Sequence, residues 1–215
     1  MKNVSRVSVV RLLVLAGLLV VMCSLASLGA SPQSSTEVGV QWERDRANYI
    51  LEAGKTVNDD LFAGGASIKV NGNVGGDVVA AGENIVSSGK IGGDALLAAR
   101  TVTVSGPVEG NIRVAAQNVI VDGNSGRNLM AFGQSITIAK SANVGRNLLL
   151  AGQTVEVNGN IGGKVRAYGE NVTIGGKVVG DLIVEAESLT ISDGADIEGD
   201  VKYKGSRPPK VAPGA

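Results

Sequence analysis

Acidic side chains recur at a fixed interval in the chain and are its first candidates for chemistry. Asp60, Asp77 and Asp94 are separated by steps of 17 residues, so in a regular repeat their carboxylates would stack in one column. Such a column could bind Ca²⁺ or supply a general acid and base. The column continues with Asn111, Asn128, Asn147 and Lys164. Because Asn keeps the hydrogen bonds of an Asx turn and loses the charge, turns that bond nearby backbone N–H groups account for more of the column than a metal does.

The amino-acid composition excludes most other kinds of functional site. The chain of 215 residues has no His and one Cys, which excludes the commonest general base and a thiolate zinc site. With 20 basic and 20 acidic residues and 3% aromatic residues, it has neither the net charge nor the stacking surface of a nucleic-acid-binding protein. Loops such as Gly75-Gly76-Asp77 lack the Lys-Ser/Thr of a nucleotide site. We therefore predict no enzyme activity, no catalytic, cofactor or metal site, and no nucleotide or nucleic-acid partner.

The body of the chain is a repeat that must position these residues. Eight units run from Asp60 to Gly199, with steps of 17 residues except for two of 19. In each unit the second, fourth, ninth and eleventh positions are mostly apolar, and spacings of two are typical of strands. Glycines recur at one corner, where a positive φ would cost little free energy: Gly72, Gly89, Gly106, Gly123, Gly159 and Gly176.

Three short strand segments and Gly-rich corners in each unit predict a stacked β-solenoid. We expect an all-β, single-domain, three-sided right-handed parallel β-helix of about eight 17-residue coils. The rival fold is the left-handed hexapeptide helix, whose coil would be a multiple of six residues. The interval of 17 disfavours that rival.

An apolar leader precedes the repeat. Lys2, Arg6 and Arg11 come before the 17-residue uncharged run Leu12–Leu28, which predicts export through a signal peptide or a retained signal-anchor helix. The predicted divisions are the leader at 1–30, a polar connector at 31–49, the β-helix at 50–205 and a tail at 206–215 that resembles part of a further coil. The predicted location is extracytoplasmic, in the periplasm or on the cell surface, with residues 12–28 as the membrane anchor if the leader is retained.

The third position of each unit alternates with core positions and should therefore face outward. It is apolar in six of eight units, which predicts an exterior apolar face. The members of this face are Phe62, Val79, Leu96, Met130, Leu149 and Ile183. An exposed strip of this kind marks a partner or a membrane surface, unless residues 38–53 fold back and cover it.

The repeated units resemble those of bactofilins, which are polymer-forming cytoskeletal proteins. The resemblance rests on units such as Gly75-Gly76-Asp77-Val78-Val79-Ala80-Ala81-Gly82 and Gly92-Gly93-Asp94-Ala95-Leu96-Leu97-Ala98-Ala99, and it covers residues 50–205. It implies a right-handed β-helix that assembles end to end into non-polar filaments without nucleotide, as a scaffold near a membrane. The export leader departs from this family, whose typical members are cytoplasmic.

Three functions remain open at this point. The first is a self-associating structural protein of the cell envelope, whose partners are itself and membrane or envelope components. The second is an exported adhesin that binds a glycan or protein, and the third is a polysaccharide-active enzyme. The third is weakest because Trp42, the one Trp, lies outside the repeats.

For the first function we predict that the rod polymerises through its two ends. The residues predicted to form these ends are Ile50, Leu51, Val201 and Tyr203. Unpaired strand edges promote association. The alternative is that Pro208 and Pro209 turn the tail across the last coil and cap it.

Overall fold

The computed structural model describes residues 48–215, and this part of the chain is all β. Its long strands span ten residues each. They are β3 (Leu61–Val70), β5 (Val78–Ser87), β6 (Ala95–Val104), β7 (Ile112–Val121), β8 (Leu129–Ile138), β10 (Leu148–Val157), β12 (Val165–Ile174) and β14 (Leu182–Ile191). Short strands lie between and around them: β1 (Asn48–Leu51), β2 (Thr56–Val57), β4 (Asn73–Val74), β9 (Asn143–Val144), β11 (Asn160–Ile161), β13 (Lys177–Val178), β15 (Asp196–Ile197), β16 (Val201–Lys204) and β17 (Lys210–Val211).

These strands form a parallel β-solenoid of about ten turns with a spacing of about 17 residues. Each long strand pairs in parallel with the long strand one turn before and one turn after it. The register joins equivalent positions of the repeat, as in Leu61 with Val78 and Val78 with Ala95. The prediction of an all-β parallel solenoid is therefore confirmed, with about ten turns in place of the predicted eight.

Alternation along the strands produces the core. In β7, Ile112, Val114, Val119 and Val121 are buried at the second, fourth, ninth and eleventh positions of the repeat, while Arg113 between them is exposed. The same positions stack from turn to turn into one continuous apolar column. Because each turn is covered by its neighbours, burial of a residue depends on the turns above and below it.

The recurring corner glycines are required for a different reason from the one predicted. Among the glycines of residues 48–215, only Gly54 and Gly194 have a positive φ, at 80° in both cases. A Cβ atom at Gly89 would instead overlap the carbonyl oxygen of Gly72 one turn earlier. The corner thus selects Gly because successive backbones approach too closely for a side chain.

Corners of two lengths occur in the solenoid. Two residues separate Val70 from Asn73, whereas four separate Ile191 from Asp196 and four separate Leu51 from Thr56. Four residues also separate Ile138 from Asn143, so each of the two 19-residue steps contains a longer corner, and the third longer corner, at residues 52–55, was missed by the sequence reasoning. Gly54 and Gly194 provide the left-handed conformation in two of these three longer corners.

The predicted leader, anchor at 12–28 and connector up to residue 47 lie outside the described residues. Residues 48–215 contain no helix, and so none that is long and apolar enough to cross a membrane.

Candidate functional site

The column of acidic and amide side chains is a hydrogen-bonded ladder between turns. The backbone N–H of Asp77 donates to Oδ1 of Asp60 at 2.7 Å, and that of Asp94 donates to Oδ1 of Asp77 at 2.7 Å. The N–H of Asn111 donates to Oδ1 of Asp94 at 2.8 Å. The Asx-turn prediction was therefore wrong about the partner, because each side chain accepts from a residue one turn further along and not from its local turn.

Asparagine continues the ladder with the same geometry. Oδ1 of Asn147 accepts the N–H of Lys164 at 3.0 Å. Lys164 has no side-chain oxygen, and its Nζ instead donates to Oδ2 of Asp181 at 2.9 Å. Asp and Asn serve the ladder alike, since only one oxygen per side chain is needed as an acceptor.

Two carboxylates of this column have shifted pKa values. Partial burial acts to raise the pKa of Asp94. The Asn111 backbone N–H and the Arg113 guanidinium, 2.7 Å away, outweigh it and hold that pKa below its ordinary value. The hydrogen bond from Lys164 lowers the pKa of Asp181. Both shifts favour the ionised form, which suits an acceptor and not a general acid.

No cluster of three or more acidic or Cys side chains that could bind a metal occurs within residues 48–215. The oxygens of the Asp column that face the next turn are already occupied by backbone donors. What the arrangement can do chemically is join one turn to the next.

A second side-chain ladder was missed by the sequence reasoning. Nε2 of Gln117 donates to Oε1 of Gln134 at 3.1 Å, and Nε2 of Gln134 donates to Oε1 of Gln153 at 3.2 Å. Gln153 in turn donates to Glu170 at 3.0 Å. The signal was present in the sequence as Gln or Glu at the seventh position of successive units. Such a ladder can be identified in the sequence only by comparing the same position in successive units, because a single Gln gives no sign of its partner one turn away.

The predicted exterior apolar face follows one line of the solenoid. Phe62 and Leu96 are 40% and 36% exposed, whereas Val79, Met130, Leu149 and Ile183 are half-buried. Consecutive members lie side by side on paired strands, as Phe62 and Val79 do. Arg113 and Arg166 interrupt the line, and Arg113 is paired with Asp94.

The N-terminal end of the solenoid begins with an incomplete turn. Strand β1 pairs with Ser67–Val70, the second half of β3, and β2 pairs with β4. Within residues 48–215 no strand pairs with Leu61–Gly64 on the N-terminal side. Of the two residues predicted at this end, Ile50 is 48% exposed and Leu51 points into the core.

The C-terminal end is also incomplete, and it is partly covered. Strand β16 pairs with Leu182–Glu185, the first half of β14, and β17 pairs with Thr190 and Ile191 in its second half. Val201 and Val211 remain 47% and 59% exposed.

The predicted end residue Tyr203 is half-buried at this end. Its hydroxyl lies 2.8 Å from the carbonyl oxygen of Arg207 and 3.3 Å from those of Ala186 and Glu187.

An apolar cavity of about 330 Å³ lies under the tail at this end. Leu189 and Ile191 of β14, Ile197 of β15 and Val201 of β16 contribute to its walls, and Val211 of the tail closes it in part. Elsewhere the corresponding space is filled by the next turn, so the column of the core ends here in an unfilled layer.

No family model matches the chain, and no curated protein or solved structure matches it significantly.

Proposed function

We propose that this chain is a non-enzymatic structural protein that assembles end to end into filaments at the bacterial cell envelope. The proposal includes the finer form of the fold, a three-sided right-handed β-helix. It also includes an exported location, with residues 12–28 as leader or anchor.

One observation carries this proposal: the apolar column and the strand ladder stop abruptly at the ends of the solenoid. Val201 occupies a core position of the repeat yet is 47% exposed, because no further turn within residues 48–215 covers it. Stacking a second rod on this end would extend both the hydrogen-bond ladder and the apolar contacts. Contacts that repeat without closing a ring produce filaments. The resemblance to bactofilins, which are polymer-forming, supports the same conclusion.

The test is sedimentation of the full chain in mild detergent, from micromolar to hundreds of micromolar concentration. We expect large species that disappear in Val201→Asp. Ile120→Asp is the matched control, because Ile120 is equally apolar and similarly exposed, at 43%, but lies in the middle of the rod. A monomer at every concentration would reject end-to-end assembly. Loss of assembly in Ile120→Asp alone would indicate lateral association in its place.

The exterior apolar face supports the alternative function of an exported binding protein. Leu96 is exposed on one side of the rod, away from its ends, and Phe62 extends the same face to the N-terminal edge. Binding to lipid vesicles or to envelope polysaccharide that is lost in Leu96→Asp, with assembly unchanged, would favour this alternative.

A further inference from the structure

The two ends of the solenoid are complementary half-turns. At the N-terminal end, β1, β2 and the first half of β3 present edges that face away from the rod. At the C-terminal end, the second half of β14, β15 and β16 present edges in the same order. Residues 48–64 and residues 188–204 therefore contain three equivalent strand segments in the same order along the chain.

The spacings within these two segments also match. Four residues separate β1 from β2, and four separate β14 from β15. Three residues separate β2 from β3, and three separate β15 from β16. Gly54 and Gly194 have the same positive φ of 80° at equivalent places in the longer corner. One end can therefore sit on the other as a single turn of the solenoid sits on the turn before it.

Within residues 48–215, only the tail stands in the way of this fit. Strand β17 pairs Lys210 with Thr190 and Val211 with Ile191. In the stacked arrangement, Ile50 and Leu51 of a second copy would pair with Thr190 and Ile191 in place of the tail. Ile50 pairs with Lys69 in its own chain, and Lys69 and Thr190 occupy the same position of the repeat. A strand edge pairs with one neighbour on each side, so the two occupants exclude each other.

We infer that residues 205–215 act as a displaceable cap, and that β1 of a second copy replaces this tail to join rods head to tail. The inference rests on the proposed end-to-end assembly and specifies its direction and its switch. The resulting filament is polar, unlike the non-polar filaments that the family resemblance implies.

The tail is a poor substitute for a full turn. Its strand has two residues, and the position one pair earlier is Pro209, which has no N–H to donate to the ladder. Val211 is 59% exposed, and the 330 Å³ cavity remains beneath it. Strand β1 has four residues and would bring the larger Tyr49 to the position of Pro209, together with Leu51 at the position of Val211.

Charge does not supply the attraction between the two stacked faces. Residues 48–64 contain three acidic side chains and one basic one, and residues 188–204 contain four acidic side chains and two basic ones. Both faces are therefore net acidic, so the strand ladder and the apolar contacts must provide the favourable free energy, and screening by salt should promote assembly.

The direction of stacking is tested by disulfide cross-linking of the full chain in a Cys23→Ser background. One preparation carries Ile50→Cys and another carries Thr190→Cys. Paired positions on neighbouring strands are about 4.8 Å apart, which a disulfide can span. We expect a cross-linked dimer from the mixture and none from either preparation alone. Filaments without this cross-link would overturn the inference and leave end-to-end assembly standing.

The cap is tested by locking it in place. In a single chain, Thr190→Cys with Lys210→Cys joins β17 to β14. We expect the oxidised protein to stay monomeric and the reduced protein to assemble. The matched control is Ile120→Cys with Thr137→Cys, an equivalent pair in the middle of the rod, which should assemble in both redox states.

Weakening the tail should have the opposite effect. Val211→Asp should lower the concentration needed for assembly about tenfold, the change expected for a loss of one modest contact. Assembly by the oxidised tail-locked protein would reject the cap. Failure of the wild type and of all reduced variants to assemble would instead reject the proposed function itself.

Discussion

The middle turn and the last turn of this solenoid use the same pattern with opposite results. Ile112 and Val201 occupy equivalent positions of the repeat, yet Ile112 is 0% exposed and Val201 is 47% exposed. The difference arises from what lies above each turn and not from the residues within it. In this molecule the core is made between turns, so an end is a turn that lacks one of its two neighbours.

The largest effect should come from placing a charge in the middle of the column. Val121→Asp buries an unpaired carboxylate and should cost about 3–5 kcal/mol, enough to prevent or nearly prevent folding. Ile120→Asp, one residue earlier on the exposed side, should change stability by less than about 0.5 kcal/mol. Thermal unfolding followed by circular dichroism measures both. Val201→Asp should destabilise the monomer only slightly, because Val201 is already exposed at the end of the rod. An equally small destabilisation by Val121→Asp would contradict the distinction between the middle and end turns.

A methyl group at a corner tests the close approach of successive turns. Gly89→Ala should destabilise by about 1–3 kcal/mol, because the new Cβ would overlap the carbonyl oxygen of Gly72. The control is Gly64→Ala, where no heavy atom lies within 4 Å and φ is not positive. That change should be neutral or stabilising by up to about 1 kcal/mol. Urea unfolding of both variants decides the point, and equal effects would reject close approach as the reason for Gly.

Two buried serines of the core column should give stability changes of intermediate size when replaced by Ala. The hydroxyl of Ser87 is buried without a hydrogen-bond partner. Ser87→Ala should therefore raise the free energy of unfolding by about 1 kcal/mol. The hydroxyl of Ser125 lies 3.2 Å from the carbonyl oxygen of Gly110, so Ser125→Ala should lower it by about 1 kcal/mol. Chemical unfolding that shows the same sign for both changes would contradict this account.

The smallest effect concerns the pH dependence of the Asp94 ladder rung. Because the pKa of Asp94 is lower in the folded state than its ordinary value of 3.8, its stabilising contribution is present above about pH 4 and is lost as the pH falls through the folded-state pKa. Relative to Asp94→Asn, the wild type should lose up to about 1 kcal/mol of stability between pH 5 and pH 2. Thermal unfolding at each pH measures this difference, which should shrink when Arg113→Gln removes the ion pair.

Position within the repeat could be predicted because each inward residue recurs at the same interval. Val102, Val119 and Ile136 are adjacent members of one column, and their alternation with polar residues defines the strand. The reason for the corner glycines could not be predicted, because it depends on the separation of backbones in successive turns. Sequence shows that Gly is preferred at a corner but not whether φ or space requires it.

The ends were the least predictable part of the molecule. Ile50 and Val201 were identified as end residues from the limits of the repeat, and a tail turned across the last coil was the stated alternative to free ends. The particular pairing of Lys210 with Thr190 could not be predicted, because the tail departs from the steps of 17 and 19 residues that define the other turns. Likewise, the hydrogen bond from Asp77 N–H to Asp60 joins two turns, and residue type alone does not reveal that partner.

The constant register of this molecule makes its length adjustable in fixed steps. Removing residues 112–128 would bring Asn111 before Leu129, with every inward column still aligned, because Ile112 and Leu129 are register partners. The rod would shorten by one strand spacing of about 4.8 Å, and duplication of the same segment would lengthen it by the same amount. Deletion or duplication of whole units in the gene can therefore change the length of the rod without disturbing its core.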